Sequence, residues 1–219
     1  MVKSIKVMLI PNNKQKSKLF KYANTSRFAY NWAIAREQEN YKDGGKFISD
    51  GDLRKEFTQL KKTDGYEWLY GVSNEVTKQA IKDACNTYKR FFKGLCKYPK
   101  FKSKKFSTPS FYQDVLKIKF TSTHVKVEGF SSSRKKNKQR LNWIKLAEKH
   151  RIPTDAKYLN PRITFDGLNW WVSVGIEISN FNKKSVNDGI GIDLGIKDLA
   201  ICSDGNTYKN VNKTQMVKS

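Results

Sequence analysis

The hydrophobic period of this chain changes twice, and those changes limit its fold more than any other feature. Ser4 to Ile10 alternates, with Ile5, Val7 and Leu9 on one side and Lys6 and Met8 on the other, the pattern of a half-buried strand. Pro11-Asn12-Asn13 stops it. From Lys14 to Tyr41 the spacing is helical, through Leu19, Ala23, Ser26, Phe28, Trp32 and Ala35, and Asp43-Gly44-Gly45 ends the run. Leu53, Phe57 and Leu60 share one face of a short helix over Asp50 to Leu60. Val76, Ala80, Ala84, Phe91 and Leu95 form a stripe on a helix over Asn74 to Leu95, with Ser73 or Asn74 as cap and Glu75 in the first turn. After residue 106 the period returns to two: Leu116, Ile118 and Phe120, then Val125 and Val127. Arg162 to Phe165 then leads through an Asp166-Gly167 turn into Trp170, Val172, Val174, Ile176 and Ile178. The class is therefore α+β. The first strand and the later ones are expected to close a small antiparallel β-barrel, with the helical bundle as an insertion within it.

Charge narrows the partner. Lys and Arg number 43 against 20 Asp and Glu, a net charge of +23. Such an excess points to a polyanion, because neutralised phosphates release counterions and drive binding. The plain alternative is a solvated basic surface. Aromatic residues at 13% exclude a disordered basic tail. No apolar run reaches 18 residues and no signal peptide is present, so a soluble protein with no membrane partner is expected. Cys85, Cys96 and Cys202 form no CxxC pair, which indicates a reducing compartment and no zinc. His124 and His150 do not pair into a metal or catalytic motif.

Two stretches concentrate the basic charge. In the first, Lys97, Lys100, Lys102, Lys104 and Lys105 alternate with Tyr98, Phe101 and Phe106. Lysines meet phosphates while aromatic rings stack on bases, so this is a candidate nucleic-acid contact; a basic linker anchored by its aromatics is the alternative. The second runs from Arg134 to Arg151 and includes Arg134, Lys135, Lys136, Lys138 and Arg140, with Glu148 as its one acid. It reads as a loop or partly formed strand, either touching phosphate or solvated.

The run Gly189 to Ala200 reads as a buried strand ending on Asp193, a tight glycine turn, and a second strand from Leu199. Asp204-Gly205 turns a further hairpin, and Phe181 to Asp188 reads as a polar linker into this segment. One carboxylate at the end of a core strand is how RNase H-like nucleases begin their metal site. Such sites need further carboxylates to hold two divalent ions roughly 4 Å apart. After Asp193 only Asp198 and Asp204 follow, one at a strand start and one in a turn. An incomplete nuclease site is therefore expected.

Several of these residues together resemble the TnpB family, also called OrfB, of insertion-sequence-encoded proteins related to type V CRISPR effectors. The carriers are Arg27-Phe28-Ala29-Tyr30-Asn31-Trp32, the helix from Val76 to Phe92, and Tyr98-Pro99-Lys100-Phe101-Lys102-Ser103-Lys104-Lys105. Trp170-Trp171-Val172-Ser173-Val174 and Gly191-Ile192-Asp193-Leu194-Gly195-Ile196-Lys197, followed by Ser203-Asp204-Gly205, complete them. The resemblance is to the N-terminal portion of a typical member. It implies a wedge-type barrel over residues 1–13 and 106–183, a helical recognition lobe over 14–105, and the start of a RuvC-like nuclease domain over 184–219.

It also implies guide RNA and target DNA as partners, Mg²⁺ as cofactor, and a cytoplasmic, nucleoid-associated prokaryotic protein. Asp193 matches the first catalytic metal ligand. Lys100, Lys102, Lys104 and Lys105 are expected on phosphates, with Phe101 or Tyr98 stacking or anchoring the loop. Arg27, Tyr30 and Asn31 either face nucleic acid or hold the lobe together, and core packing is favoured for Tyr30. The family's downstream Glu, last Asp and zinc ribbon have no counterpart here. The expected function is a guide-binding portion of an RNA-guided DNA endonuclease, inactive alone, with a possible separately encoded C-terminal half. The rival readings are a nuclease-inactive nucleic-acid-binding regulator and an inert remnant of a mobile element.

Overall fold

The computed structural model describes residues 2–130, 141–177 and 189–210. The chain divides into two compact units, Met1–Ser179 and Asn180–Ser219. In the first, strand β1 (Val2–Ile10) is followed by helices α1 (Asn13–Lys42) and α2 (Asp50–Leu60), a 3₁₀ turn (Glu67–Gly71) and helix α3 (Asn74–Phe92). Six strands follow: β2 (Ser110–Tyr112), β3 (Lys119–Phe120), β4 (His124–Lys126), β5 (Trp143–Leu146), β6 (Tyr158–Phe165) and β7 (Trp170–Glu177).

The start of α1 is fixed twice over. Asn12 Oδ1 accepts from the Gln15 amide at 2.9 Å, and Gln15 Oε1 accepts from the Asn12 amide at 3.0 Å, a closed capping box. Gln15 is buried, and its Nε2 donates to the carbonyls of Leu141 and Trp143 at 3.0 and 2.8 Å. One side chain thus caps the helix and ties it to the approach to β5 without leaving a buried amide unpaired. Helix α3 is capped by Ser73 and starts at Asn74, as expected, but ends three residues before Leu95. Gly94, at φ +68°, lets the chain turn into a Schellman motif, with the Leu95 amide donating to the Arg90 carbonyl at 2.9 Å. Leu95 is left 64% exposed.

The seven strands form one antiparallel sheet in the order β2-β6-β7-β1-β5-β4-β3. In the central pair Ile5 faces Val174, Val7 faces Val172 and Leu9 faces Trp170, so the alternation on both strands puts one apolar face inward. Two sequence expectations are corrected here. The barrel is not closed by hydrogen bonds among the described residues: β2 and β3 are edge strands of three and two residues and do not pair. The Leu116 to Phe120 alternation is mostly a turn, because the Asp114 carbonyl accepts from Ile118 and its carboxylate from the Leu116 amide, which leaves Leu116 84% exposed. Strand β5, inside the second basic stretch, sits between β1 and β4.

Two cores result. The inner sheet face packs on the first half of α1 through Leu19, Tyr22 and Ala23, joined by Val72 and Val76. The second half of α1 packs with α2, the 3₁₀ turn and α3 around Ala29, Ala33, Ile34, Phe57, Leu69, Ala80, Ala84 and Tyr88. Four alanines on the α1–α3 seam allow close approach of the two helices. They run in the same sense, since Tyr30 meets Thr87 and Ile34 meets Tyr88.

The second unit holds β8 (Ile192–Asp193), β9 (Asp198–Cys202) and β10 (Thr207–Lys209), ordered β10-β9-β8 and antiparallel. Gly205, at φ +90°, makes the expected hairpin turn. The expected burial of β8 is not found: Ile192 is 62% exposed, Leu194 75% and Ile196 93%. Three short strands make a single layer, with no second layer among this unit's own described residues. The Phe181 to Asp188 linker lies outside the described residues.

Candidate nucleic-acid interface

The loop from Lys97 to Phe106 has no regular structure through Ser103, yet it is held at defined points. Pro99 is buried. Asn31, on α1, grips the Lys102 backbone on both sides: its Oδ1 accepts from the Lys102 amide at 2.8 Å and its Nδ2 donates to the Lys102 carbonyl at 2.9 Å. That pairing imitates one rung of a strand ladder. Ser103 Oγ accepts from the Phe106 amide at 3.0 Å and closes the next turn.

This fixed path sorts the sequence-predicted residues. Lys97, Lys100, Lys104 and Lys105 are exposed, Phe101 is 53% exposed, and Phe106 is 83% exposed. Tyr98 is half-exposed and rests edge-on against Phe91 and Tyr88, with ring centroids 5.3 and 6.0 Å away. Lys102 turns inward, its Nζ 4.0 Å from the centroid of the buried Tyr30 ring. Burial lowers the Lys102 pKa, partly offset by Asp83. Arg27 is half-buried and shares a small cleft with Asn24, Lys102 and Lys104. So Tyr30 and Asn31 serve the architecture of the loop, while the four outer lysines and Phe101 face solvent. Arg134, Lys135, Lys136, Lys138 and Arg140 lie outside the described residues.

Helix α3 is tied to the sheet. Arg162 of β6 makes a two-pronged ion pair with Asp83 of α3, at 2.8 and 3.0 Å, and Gln79 Nε2 donates to the same carboxylate at 2.8 Å. Asn31→Ala should cost about 2 kcal/mol of local stability, two backbone hydrogen bonds at roughly 1 kcal/mol each. The expected result is faster limited trypsin cleavage after Lys100 to Lys105 at an almost unchanged global Tm. An unaltered cleavage rate would mean the loop is held by something other than Asn31.

Sequence reasoning overlooked a groove of about 630 Å³ at the start of α1, lined by Asn13, Lys14, His124, Trp143 and Lys145. Lys145 lay in the second basic stretch, but only the pairing of β5 with β1 carries it beside the helix start.

In the second unit Asp193 is exposed at the end of β8 and opposite Ile201. Asp198 pairs with Lys209 at 3.0 Å, and Asp204 accepts from the Asn206 amide and side chain at 3.1 and 2.9 Å. Both are occupied in holding the hairpins. No cluster of three or more His, Cys, Asp or Glu side chains able to hold a metal exists among the described residues. One carboxylate does not fit a two-ion site. Also among the described residues, no helix is long and apolar enough to cross a membrane.

Residues 1–46 match the family model of a helix-turn-helix domain of OrfB/IS605 proteins. Here that stretch is one strand and one continuous 30-residue helix with the turn after it. The chain is 24% identical over 216 residues to InsQ of Escherichia coli (strain K12), covering 98% of this chain and 50% of that protein. A Streptomyces pristinaespiralis protein is 23% identical over 208 residues, covering 95% of this chain and 50% of its own length. Both are named for RNA-guided DNA endonuclease activity. A protein of Paramecium bursaria Chlorella virus 1 named as transposase A625R is 32% identical over 98 residues, 41% of this chain and 22% of that one. A chain from the cryo-EM structure of the Cas12f1–sgRNA–target DNA complex aligns with all of this chain and 59% of its own, at 11% identity and a TM-score of 0.41. The resemblance to TnpB/OrfB proteins is borne out by the family model and by relatives along nearly the whole chain. The chain spans about half the length of those two relatives.

Proposed function

We propose that this chain, similar to TnpB/OrfB proteins along nearly all its length, binds guide RNA and target DNA as the recognition portion of an RNA-guided DNA endonuclease. The observation that carries the reading is the Lys97 to Phe106 loop. Its outer lysines and Phe101 point to solvent while Asn31 fixes its backbone and the Tyr30 ring takes the Lys102 ammonium, on a chain of net charge +23. Lys97, Lys100, Lys104 and Lys105 neutralise phosphates, and Phe101 offers a face to a base. Arg27 adds a guanidinium at the edge of the same loop. Arg134, Lys135, Lys136, Lys138 and Arg140 extend the contact.

In this reading the seven-stranded sheet, open between its edge strands, is the wedge-like domain and β8 to β10 begin an RNase H-like domain. Asp193 is then one ligand of a nuclease site. Divalent ions at a complete site of that kind stabilise the attacking and leaving oxygens of phosphodiester hydrolysis. Asp198 and Asp204 are engaged elsewhere, so the remaining carboxylates come from outside the described residues or from a separate chain. No cleavage step is assigned to the residues described.

The test is to express the chain with its flanking DNA, purify it in high salt, and sequence the retained RNA. One discrete RNA is expected, with no Mg²⁺-dependent cutting of matched DNA and unchanged RNA retention in Asp193→Ala. Heterogeneous RNA lost with salt would defeat the guide-binding reading. Cutting by the chain alone, abolished in Asp193→Ala, would defeat its inactivity.

A further inference from the structure

A cavity of about 200 Å³ lies between the end of α1, the turn at 45–47, the end of α3 and Tyr98. Tyr41, Phe47, Tyr88, Phe91, Phe92 and Tyr98 are its aromatic lining, and Glu37 lies in it. It is smaller than the roughly 300–1,000 Å³ of sites for drug-sized ligands, so it suits a single flat ring system.

Glu37 is the unusual member. It is 5% exposed, its Oε2 accepts from the Ile48 amide at 3.3 Å, and its Oε1 is buried with no partner. The neighbouring Arg36 is turned away to Glu56 at 2.8 Å. Asn40 also lines the cavity; its Nδ2 donates to the Lys46 carbonyl at 2.6 Å, which leaves Oδ1 as a second acceptor. Gly45 makes room for it, since a Cβ there would lie 2.3 Å from that Oδ1. A buried acceptor left open costs stability unless a ligand answers it.

We propose that this cavity takes one unstacked guanine base from a single-stranded nucleic acid, held between the aromatic rings with its N1–H and N2 amino group donating to Glu37 and Asn40. The inference rests on the reading that the chain binds nucleic acid. Guanine is chosen because its Watson–Crick edge carries two adjacent donors. Uracil and thymine flank their one imino donor with carbonyl oxygens, and adenine and cytosine set a ring acceptor beside their amine. Those oxygens and ring nitrogens would face Glu37 and Asn40 acceptor to acceptor.

An aromatic box with a carboxylate is also the chemistry of an organic-cation site. The surroundings decide against it. Lys42, Lys46, Lys89, Lys93 and Lys97 are exposed, each next in sequence to a lining residue, and Lys89 Nζ lies 5.9 Å from the Phe47 ring. Against these five lysines the rim has two acids, Glu39, next in sequence to Asn40, and Asp43, next to Lys42. This rim repels a cation and attracts the phosphates on either side of a base.

The test compares two RNA heptamers, UUUGUUU and UUUUUUU, by fluorescence anisotropy at several salt concentrations. The guanine-containing strand should bind about tenfold tighter, the discrimination of one good two-point base contact. Glu37→Gln and Phe92→Ala should each erase that preference while leaving oligo-U affinity and its salt slope intact. Phe92 is 61% exposed, so its variant keeps the test open if Glu37→Gln fails to fold.

Burial pushes the Glu37 carboxyl above its ordinary pKa. Its contribution to stability is thus present at acid pH and lost as pH rises through the folded value. Glu37→Gln should therefore show no loss of Tm at pH 7. Equal binding of both heptamers, with a normal salt slope, would overturn the pocket and leave the nucleic-acid reading standing. No binding of either would overturn both. A preference that survives both variants would place guanine recognition elsewhere. Shifts of the ring resonances with tetramethylammonium but not with GMP would make it a cation site.

Discussion

Replacing Lys100, Lys104 and Lys105 together by Ala is expected to weaken single-stranded RNA binding by roughly 50-fold near 0.15 M salt and to flatten the salt dependence by about 2 in log–log slope. Each lysine on a phosphate of a single strand contributes about 0.7 to that slope. Three such terms, carried from 1 M down to 0.15 M, give the loss in affinity. All three side chains are exposed on a loop whose backbone is fixed elsewhere, so truncation removes charge without moving the chain. Lys102 belongs to the same sequence run but should behave differently. Its ammonium lies 4.0 Å over the Tyr30 ring and is largely withdrawn from solvent. Lys102→Ala should leave the slope unchanged and instead loosen the loop. Titrations at four or more salt concentrations decide it. A slope that drops as much for Lys102→Ala as for one of the outer lysines would show that the burial is undone on binding.

Tyr22→Ala should be the most destabilising single change considered, at about 3–5 kcal/mol, the range for emptying a buried aromatic site. Tyr22 is 2% exposed and sits where α1 meets the sheet. Its ring centroid lies 5.3 Å from that of Phe111 and 5.0 Å from that of Phe130, and its hydroxyl donates to the Glu128 carbonyl at 3.1 Å. Tyr22→Phe keeps the packing and loses one hydrogen bond, about 1 kcal/mol.

The phenol supplies a second, pH-dependent signature. Burial pushes its pKa up to about 12, from an ordinary value of 10.0. Above pH 10 the unfolded chain therefore loses the proton first, and stability falls as pH rises from 10 to 12. The loss is about 2–3 kcal/mol for a shift of that size. Tyr22→Phe should be the weaker protein at pH 8 and should lack this alkaline loss. Urea denaturation of the three proteins across pH 8 to 12 measures both effects. A Tyr22→Phe curve parallel to the parent's through pH 12 would refute the attribution to this residue.

The helices were legible because each carries its own instructions. The Ser73 cap and the Asp43-Gly44 stop act within a few residues, and the structure puts α1 and α3 within three residues of the expected ends. The Asp166-Gly167 and Asp204-Gly205 turns were equally local. Strand β5 and the open edges of the sheet were not legible, because strand pairing depends on partners distant in sequence. Leu9 meets Leu146 only after the chain has returned through three helices and three strands.

The same division runs through the candidate sites. The sequence by itself determined a basic, aromatic-rich α+β chain whose charge calls for a polyanion, and it located the stretch proposed to carry the contact. It did not separate Lys102 from Lys100, nor Asn31 from a nucleic-acid ligand, because both stretches read alike until α1 and the loop are brought together. It gave no sign that Glu37 would keep a buried, unpaired carboxylate oxygen beside a cavity lined by six aromatic residues. Charge and periodicity are properties of neighbours along the chain. Desolvation, ring stacking and two-point hydrogen bonds are properties of neighbours in space, and only the tertiary structure assigns those.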